Sequence, residues 1–170
     1  YRPSTGVWYL LQSSAGFQAI QFGLSEDKPV PGDYDADGKT DIAVFRPSTG
    51  VWYELRSSAG FAAFLFGLPE DKPAEGDYDG DGQTDIAVYR PSTGAWYELN
   101  STTGFYATVF GLPTDIPSPG DFDGDGKSDI GVFRPSNGNW FVLRSSDQTV
   151  LYGTFGTNGD VPVPSGYIAR

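Results

Sequence analysis

An all-β fold of short strands, four to a unit and with the unit repeated every 44 residues, is predicted by three observations: a strict internal repeat, apolar runs too short for packed helices, and glycine or proline punctuating those runs. Composition agrees. Aromatic residues make up 15% of the chain, and 23 glycines and 13 prolines suit many strands joined by tight turns.

The repeat is read directly. Arg-Pro-Ser begins at Arg2, Arg46, Arg90 and Arg134, and Trp8, Trp52, Trp96 and Trp140 keep the same spacing. Phe-Gly pairs follow at Phe22, Phe66, Phe110 and Phe155, the last displaced by one inserted residue. Residues 2–45 and 46–89 share 33 of 44 positions. The chain is therefore expected to be a single array over 1–170, with repeats at about 2–45, 46–89, 90–133 and 134–170.

A period near 44 fits either HEAT-type helix pairs or the four-stranded blades of a β-propeller. The local pattern decides for blades. Within the second repeat, Asp41 to Arg46 carries β-branched and aromatic residues on both faces, as a strand stacked between neighbours requires. Val51 to Arg56 alternates over part of its length, and Phe61 to Phe66 is a short apolar run ending at Gly67. Pro73 and Gly76 frame the approach to the next acidic loop. One tryptophan per repeat reads as packing between blades, against the alternative of a ring of sugar-stacking platforms. The Arg-Pro-Ser turn reads as structural, with proline fixing φ and arginine available to a nearby carboxylate or carbonyl.

The acids are concentrated in three segments: Asp33, Asp35, Asp37, Lys39 and Asp41; Asp77, Asp79, Asp81, Gln83 and Asp85; and Asp121, Asp123, Asp125, Lys127 and Asp129. Each places carboxylates at positions 1, 3, 5 and 9 of a nine-residue loop. Such crowding calls for a counter-charge, and a hard divalent cation with oxygen ligands supplies it. Calcium suits this multi-oxygen set better than magnesium, which keeps more of its water. Glycine at position 6 permits the turn, and the backbone carbonyl of position 7 (Lys39, Gln83, Lys127) is a natural further ligand. Three Ca²⁺ sites are thus expected. An EF-hand is excluded, since position 12 is Val44, Val88 or Val132 within a β-pattern rather than a glutamate before a helix.

With these motifs in view, the sequence resembles the FG-GAP/VCBS repeats of integrin-α-like propellers and of secreted bacterial proteins. The resemblance rests on the Asp-x-Asp-x-Asp-Gly-x-x-Asp loops, the Phe-Gly pairs and the Arg-Pro-Ser-x-Gly-x-Trp element from Arg46 to Trp52. It covers nearly the whole chain, although the Gly-Ala-Pro element is missing, so integrin-like ligand recognition is not carried over. The resemblance implies a propeller of about four blades in this chain, calcium in the hairpin between the first two strands of a blade, and a secreted or cell-surface, bacterial setting. It also implies strand one over Pro29 to Asp33 and strand two over Asp41 to Pro47. Asp160 to Pro164 aligns with a first strand, and Ser165 to Arg170 depart from the pattern. Two closures stay open, a four-bladed ring or the C-terminal part of a larger propeller; a start inside a strand favours the second.

Other classes are excluded by what the chain lacks or carries. A net charge of −11 disfavours nucleic acid. No run approaches the roughly 20 apolar residues of a membrane span, so membrane insertion is not expected. Without cysteine or histidine there is no thiolate nucleophile, no Cys/His zinc site and no Ser-His-Asp triad. The acids outside the repeat, such as Glu75 and Asp147, offer no matched catalytic pair, so no enzyme is expected. The expected function is a calcium-stabilised extracellular binding or scaffold module for a cell-surface protein or polysaccharide. The alternatives are a lectin with sugar sites repeated between blades, a non-catalytic accessory domain of a larger secreted enzyme, and a self-associating surface-assembly subunit.

Overall fold

The computed structural model describes residues 1–163. Fourteen strands form antiparallel sheets, no helix occurs among these residues, and the chain divides into two compact units, Tyr1–Pro69 and Glu70–Arg170.

In the first unit, β1 (Val7–Gln12) pairs with β2 (Gly16–Gln21), from Val7 opposite Gln21 to Gln12 opposite Gly16. A four-stranded sheet follows in sequential order: β3 (Lys28–Pro29), β4 (Ile42–Arg46), β5 (Val51–Arg56) and β6 (Gly60–Leu65). Trp8, Ile42 and Val44 form one buried cluster, with Tyr1, Leu10, Ile20, Phe22, Tyr53 and Leu55 packed around them. The second unit holds two more such sheets. One comprises β7 (Lys72–Pro73), β8 (Ile86–Arg90), β9 (Ala95–Asn100) and β10 (Gly104–Val109). The other comprises β11 (Ile116–Pro117), β12 (Ile130–Arg134), β13 (Asn139–Leu143) and β14 (Val150–Thr154). Their shared core is Ala74, Tyr78, Ala87, Tyr89, Trp96, Ile130 and Val132.

The sheets keep the 44-residue period but begin 18 residues before each Arg-Pro-Ser, at Lys28, Lys72 and Ile116. A sequence repeat counted from arginine therefore cuts each sheet after its second strand. The second strands are the most buried, Ile42 to Phe45 and Ile86 to Tyr89 having no residue more than 8% exposed, which is why they read as apolar on both faces. The first strands are shorter than expected. Beyond Pro29 the pairing continues only as the Val30 N–H to the Ala43 carbonyl (2.9 Å) and a single bridge at Gly32 opposite Asp41, and the second sheet repeats this with Ala74 and Gly76. Residues 161–163 form no strand, and the remainder of the segments expected over 160–164 and 165–170 lies outside the described residues.

Two devices recur in every complete sheet. The turn after the second strand closes with Gly94 N–H donating to the Arg90 carbonyl (2.9 Å). Gly94 has φ +64°, and a Cβ there would lie 2.6 Å from the Gly111 carbonyl oxygen, so only glycine lets the two turns meet. The tryptophans are the second device. Trp52 and Trp96 are fully buried and Trp8 is 6% exposed, and the indole N–H of each donates to a carbonyl 14 residues on, of Phe66, Phe110 and Phe22. Trp8, Trp52 and Trp96 are thus packing residues, whereas Trp140 is half-buried and its indole N–H donates to the Phe155 carbonyl (2.8 Å).

Candidate metal loops and their surroundings

Each acidic loop joins the first and second strands of a sheet and is pinched by a bridge at its base: Gly32 with Asp41, Gly76 with Asp85, and Gly120 with Asp129. Inside that base the carboxylates divide into two kinds. The position-9 acids are latches. Asp41 accepts the Tyr34 amide (2.9 Å) on one oxygen and the Ser57 amide (2.7 Å) on the other. Asp85 does the same with Tyr78 and Ser101, and Asp129 with Phe122 and Ser145. The position-1 acids organise the loop itself, Asp77 accepting the amides of Gly80, Asp81 and Gly82.

Positions 3 and 5 reach across to the turn between the third and fourth strands. Asp35 Oδ2 accepts the Ser58 amide (2.9 Å), the Ser58 hydroxyl (2.7 Å) and the Ala59 amide (2.8 Å). Asp79 Oδ2 is held likewise by Thr102 and Thr103, and Asp123 Oδ2 by the Ser146 hydroxyl. Asp37, Asp81 and Asp125 take the hydroxyls of Ser57, Ser101 and Ser145. These hydroxyl partners were not singled out in the sequence, yet they repeat too: Ser57-Ser58, Ser101-Thr102 and Ser145-Ser146 are 44 residues apart.

Carboxylate oxygens that could share one cation come from Asp33, Asp35 and Asp37 in the first loop, Asp77, Asp79 and Asp85 in the second, and Asp121, Asp123 and Asp129 in the third. In each set the oxygens lie within 4.8 Å of one another, which matches two oxygens each about 2.4 Å from a common Ca²⁺. The donor chemistry also fits a cation. Asp35 Oδ1 and Asp79 Oδ1 are buried and receive no hydrogen bond, although the other oxygen of each accepts three or more. Burial, resisted by the Ser101 and Tyr78 amides and aided by Asp79 and Asp77, pushes Asp85 up to about 6. Burial also opposes ionisation of Asp79, but the donors from Thr102 and Thr103 outweigh it and lower its pKa. A bound cation would favour the charged form of both.

At position 7, the amides of Lys39, Gln83 and Lys127 donate to the position-5 carboxylates (2.8–2.9 Å). The Lys39 ammonium also pairs with Asp37 at 2.9 Å. The first loop differs from the others in one further respect. Ala36 stands at φ 56° where Gly80 and Gly124 occur, and the amides of those two glycines donate to the position-1 acids Asp77 and Asp121.

Outside the loops, the Arg-Pro-Ser arginines anchor each sheet. Arg46, Arg90 and Arg134 grip Asp27, Asp71 and Asp115 with two parallel hydrogen bonds of 2.8–2.9 Å and lie over Tyr53, Tyr97 and Phe141. Asp147 also has a cationic partner, Arg144, at 2.7 Å.

Comparison with known proteins places this geometry. No curated protein matches the sequence. Among solved structures, the chain is similar to streptogramin B lyase (12% identity, TM-score 0.60, covering 93% of this chain and 51% of that one). It is also similar to virginiamycin B lyase from Staphylococcus aureus (7% identity, TM-score 0.57, covering 90% and 50%). The chain thus spans about half the length of each. This corrects the expectation that the chain is not an enzyme, because the fold it shares is one that two lyases use. The absence of a matched acid pair outside the repeat was too narrow a criterion, since clefts between sheets offer groups that no linear motif displays. At such identities the likeness shows the fold alone. The FG-GAP-like repeat family matches residues 77–132, the stretch from the second acidic loop to the third. Residues 77–132 therefore match an FG-GAP-like repeat, in an all-β chain of four-stranded antiparallel sheets.

Proposed function

We propose that the sheets are calcium-stabilised blades of a β-propeller, and that the array is an extracellular binding module for a cell-surface protein or polysaccharide. The observation that carries the metal assignment is the convergence of three carboxylates in each loop, with a buried, donor-free oxygen on Asp35 and on Asp79. The first loop would hold Ca²⁺ through Asp33, Asp35 and Asp37, the second through Asp77, Asp79 and Asp85, and the third through Asp121, Asp123 and Asp129. The ion supplies positive charge and oxygen coordination. The chain supplies the rest: the position-9 latches and the Ser/Thr hydroxyls already hold the carboxylates in place, so binding orders little more. Millimolar calcium outside cells would keep such sites filled.

The binding part of the reading is supported by economy of construction. The repeats share their loops, turns and second and third strands, while the fourth strands β6, β10 and β14 are largely exposed and varied after their opening Gly-Phe or Val. The test of the metal is direct. A ligand present at about 100 times its Kd contributes about 2.7 kcal/mol per site. Three sites would then move Tm by at least about 10 °C between chelator and millimolar calcium. Calorimetric titration should count three Ca²⁺ per chain. A Tm indifferent to chelator would overturn the assignment.

A further inference from the structure

A cleft of about 270 Å³ opens between the sheets β7–β10 and β11–β14. Glu98 lines it and is 4% exposed, and its Oε1 receives no hydrogen bond. Asn100, two residues on and on the same side of β9, also lines it; its amide donates to Thr103 Oγ1 (3.1 Å) while its buried Oδ1 receives nothing. Phe105 and Leu143 give the cleft apolar walls, and Lys127 and Thr108 give it donors.

The fold does not require this arrangement. The positions equivalent to Glu98 are Leu10, Glu54 and Val142, and those equivalent to Asn100 are Gln12, Arg56 and Arg144. Where glutamate recurs, at Glu54, Arg56 Nε lies 3.1 Å from its second oxygen. Oε1 of both glutamates is buried and receives no hydrogen bond, so what sets Glu98 apart is that its neighbour is a neutral amide, Asn100, rather than an arginine. A buried acceptor without a donor costs about 1–3 kcal/mol, and the same array shows that Leu or Val serves the sheet at this place. The polar pair is a local departure from a repeat that is otherwise closely kept.

We infer that this cleft binds a small neutral carbohydrate, whose hydroxyls donate to Glu98 Oε1 and Asn100 Oδ1 while a ring face lies on Phe105. The inference rests on the binding-module reading and deepens it. Charge selects the class. Glu98 repels a carboxylate ligand, Lys127 repels an amine, and a hydroxyl both donates and accepts, as this lining asks. The volume lies just under the roughly 300–1,000 Å³ of drug-sized pockets, which suits one or two sugar rings. The acidic loops flank the cleft. Thr103 donates its amide to Asp79 (3.0 Å), and Lys127 belongs to the third loop. Loss of the loop metals would therefore loosen both walls.

The experiment is calorimetric titration, in millimolar calcium, of the chain with methyl glycosides of glucose, galactose, mannose and N-acetylglucosamine and with their disaccharides. One site per chain with Kd about 1 mM or tighter is expected. Glu98→Leu and Asn100→Arg should each weaken it at least about tenfold while keeping the calcium-dependent Tm, since each installs a residue the array already uses at that position. If one variant fails to fold, the other decides. No binding by any probe, binding unaltered in both variants, or three equivalent sites per chain would each overturn the inference. Because Tm in calcium and in chelator is read on the same samples, a chain that is calcium-stabilised yet binds no sugar sinks the cleft and leaves the metal reading standing.

Discussion

Arg134 shows how much of this chain depends on single side chains. Its guanidinium meets Asp115 at 2.9 Å through two bonds and covers the Phe141 ring at 4.4 Å, while Asp115 is wholly buried and also accepts the Leu112 amide. Removing one partner of a buried pair costs about 3–5 kcal/mol. Arg134→Ala should fall in that range in urea unfolding. Arg134→Lys, which keeps the charge but loses the fork and the stacking, should lose about half as much. A loss below about 1 kcal/mol for the alanine variant would show that the pair is dispensable. At this scale the sequence was legible where chemistry repeats in line. The Asp spacing located each cluster of carboxylates that could share a cation, and the arginine was expected to hold a carboxylate or a carbonyl. Which carboxylate was hidden, because Asp27, Asp71 and Asp115 lie 19 residues upstream and sit outside the clustered motif. The latch role of Asp41, Asp85 and Asp129 was hidden for the same reason, since their partners at Ser57, Ser101 and Ser145 are 16 residues away.

At the scale of the element, the second, third and fourth strands of each sheet were readable from their apolar runs, and the structure places them within a residue or so of those limits. The first strand was not, because its length is set by pairing rather than by pattern: two residues of ladder, one further backbone bond, then one bridge. The turn between second and third strands is the most constrained element. Gly94 and Gly104 have similar dihedrals, φ +64° and +80°, but a Cβ at Gly94 meets the Gly111 carbonyl and one at Gly104 meets nothing. Gly104→Ala should cost about 1–2 kcal/mol, the left-handed penalty alone. Gly94→Ala should cost at least about 1 kcal/mol more, the collision adding to it. Equal losses in thermal unfolding would mean the two turns can part freely.

For the molecule as a whole, charge is the quantity to watch. The formal −11 becomes −5 if three divalent ions add +6, and much of the excess lies in three short loops. In chelator, raising NaCl from about 0.05 to 0.5 M shortens the screening length from about 14 Å to about 4 Å. It should raise Tm by several degrees, whereas in millimolar calcium the same change should be much smaller. A salt response that is the same with and without calcium would argue against loop repulsion as the driving cost. Function was the least legible level, because a repeat displays what all its copies share; Asn100 departs from its equivalents beside Glu98, and only the folded sheets reveal the cleft that both line.

The loop latches have one more consequence. Their side-chain links close over 16 to 24 residues, well inside one period, although neighbouring repeats are nearly interchangeable in sequence. A growing chain emitted at about 5–20 residues per second can thus fasten each acidic loop to its own turn before the next, almost identical copy has left the ribosome. Synthesis order protects such a chain from mistaking one repeat for another, a protection that refolding from denaturant, with every copy present at once, does not have.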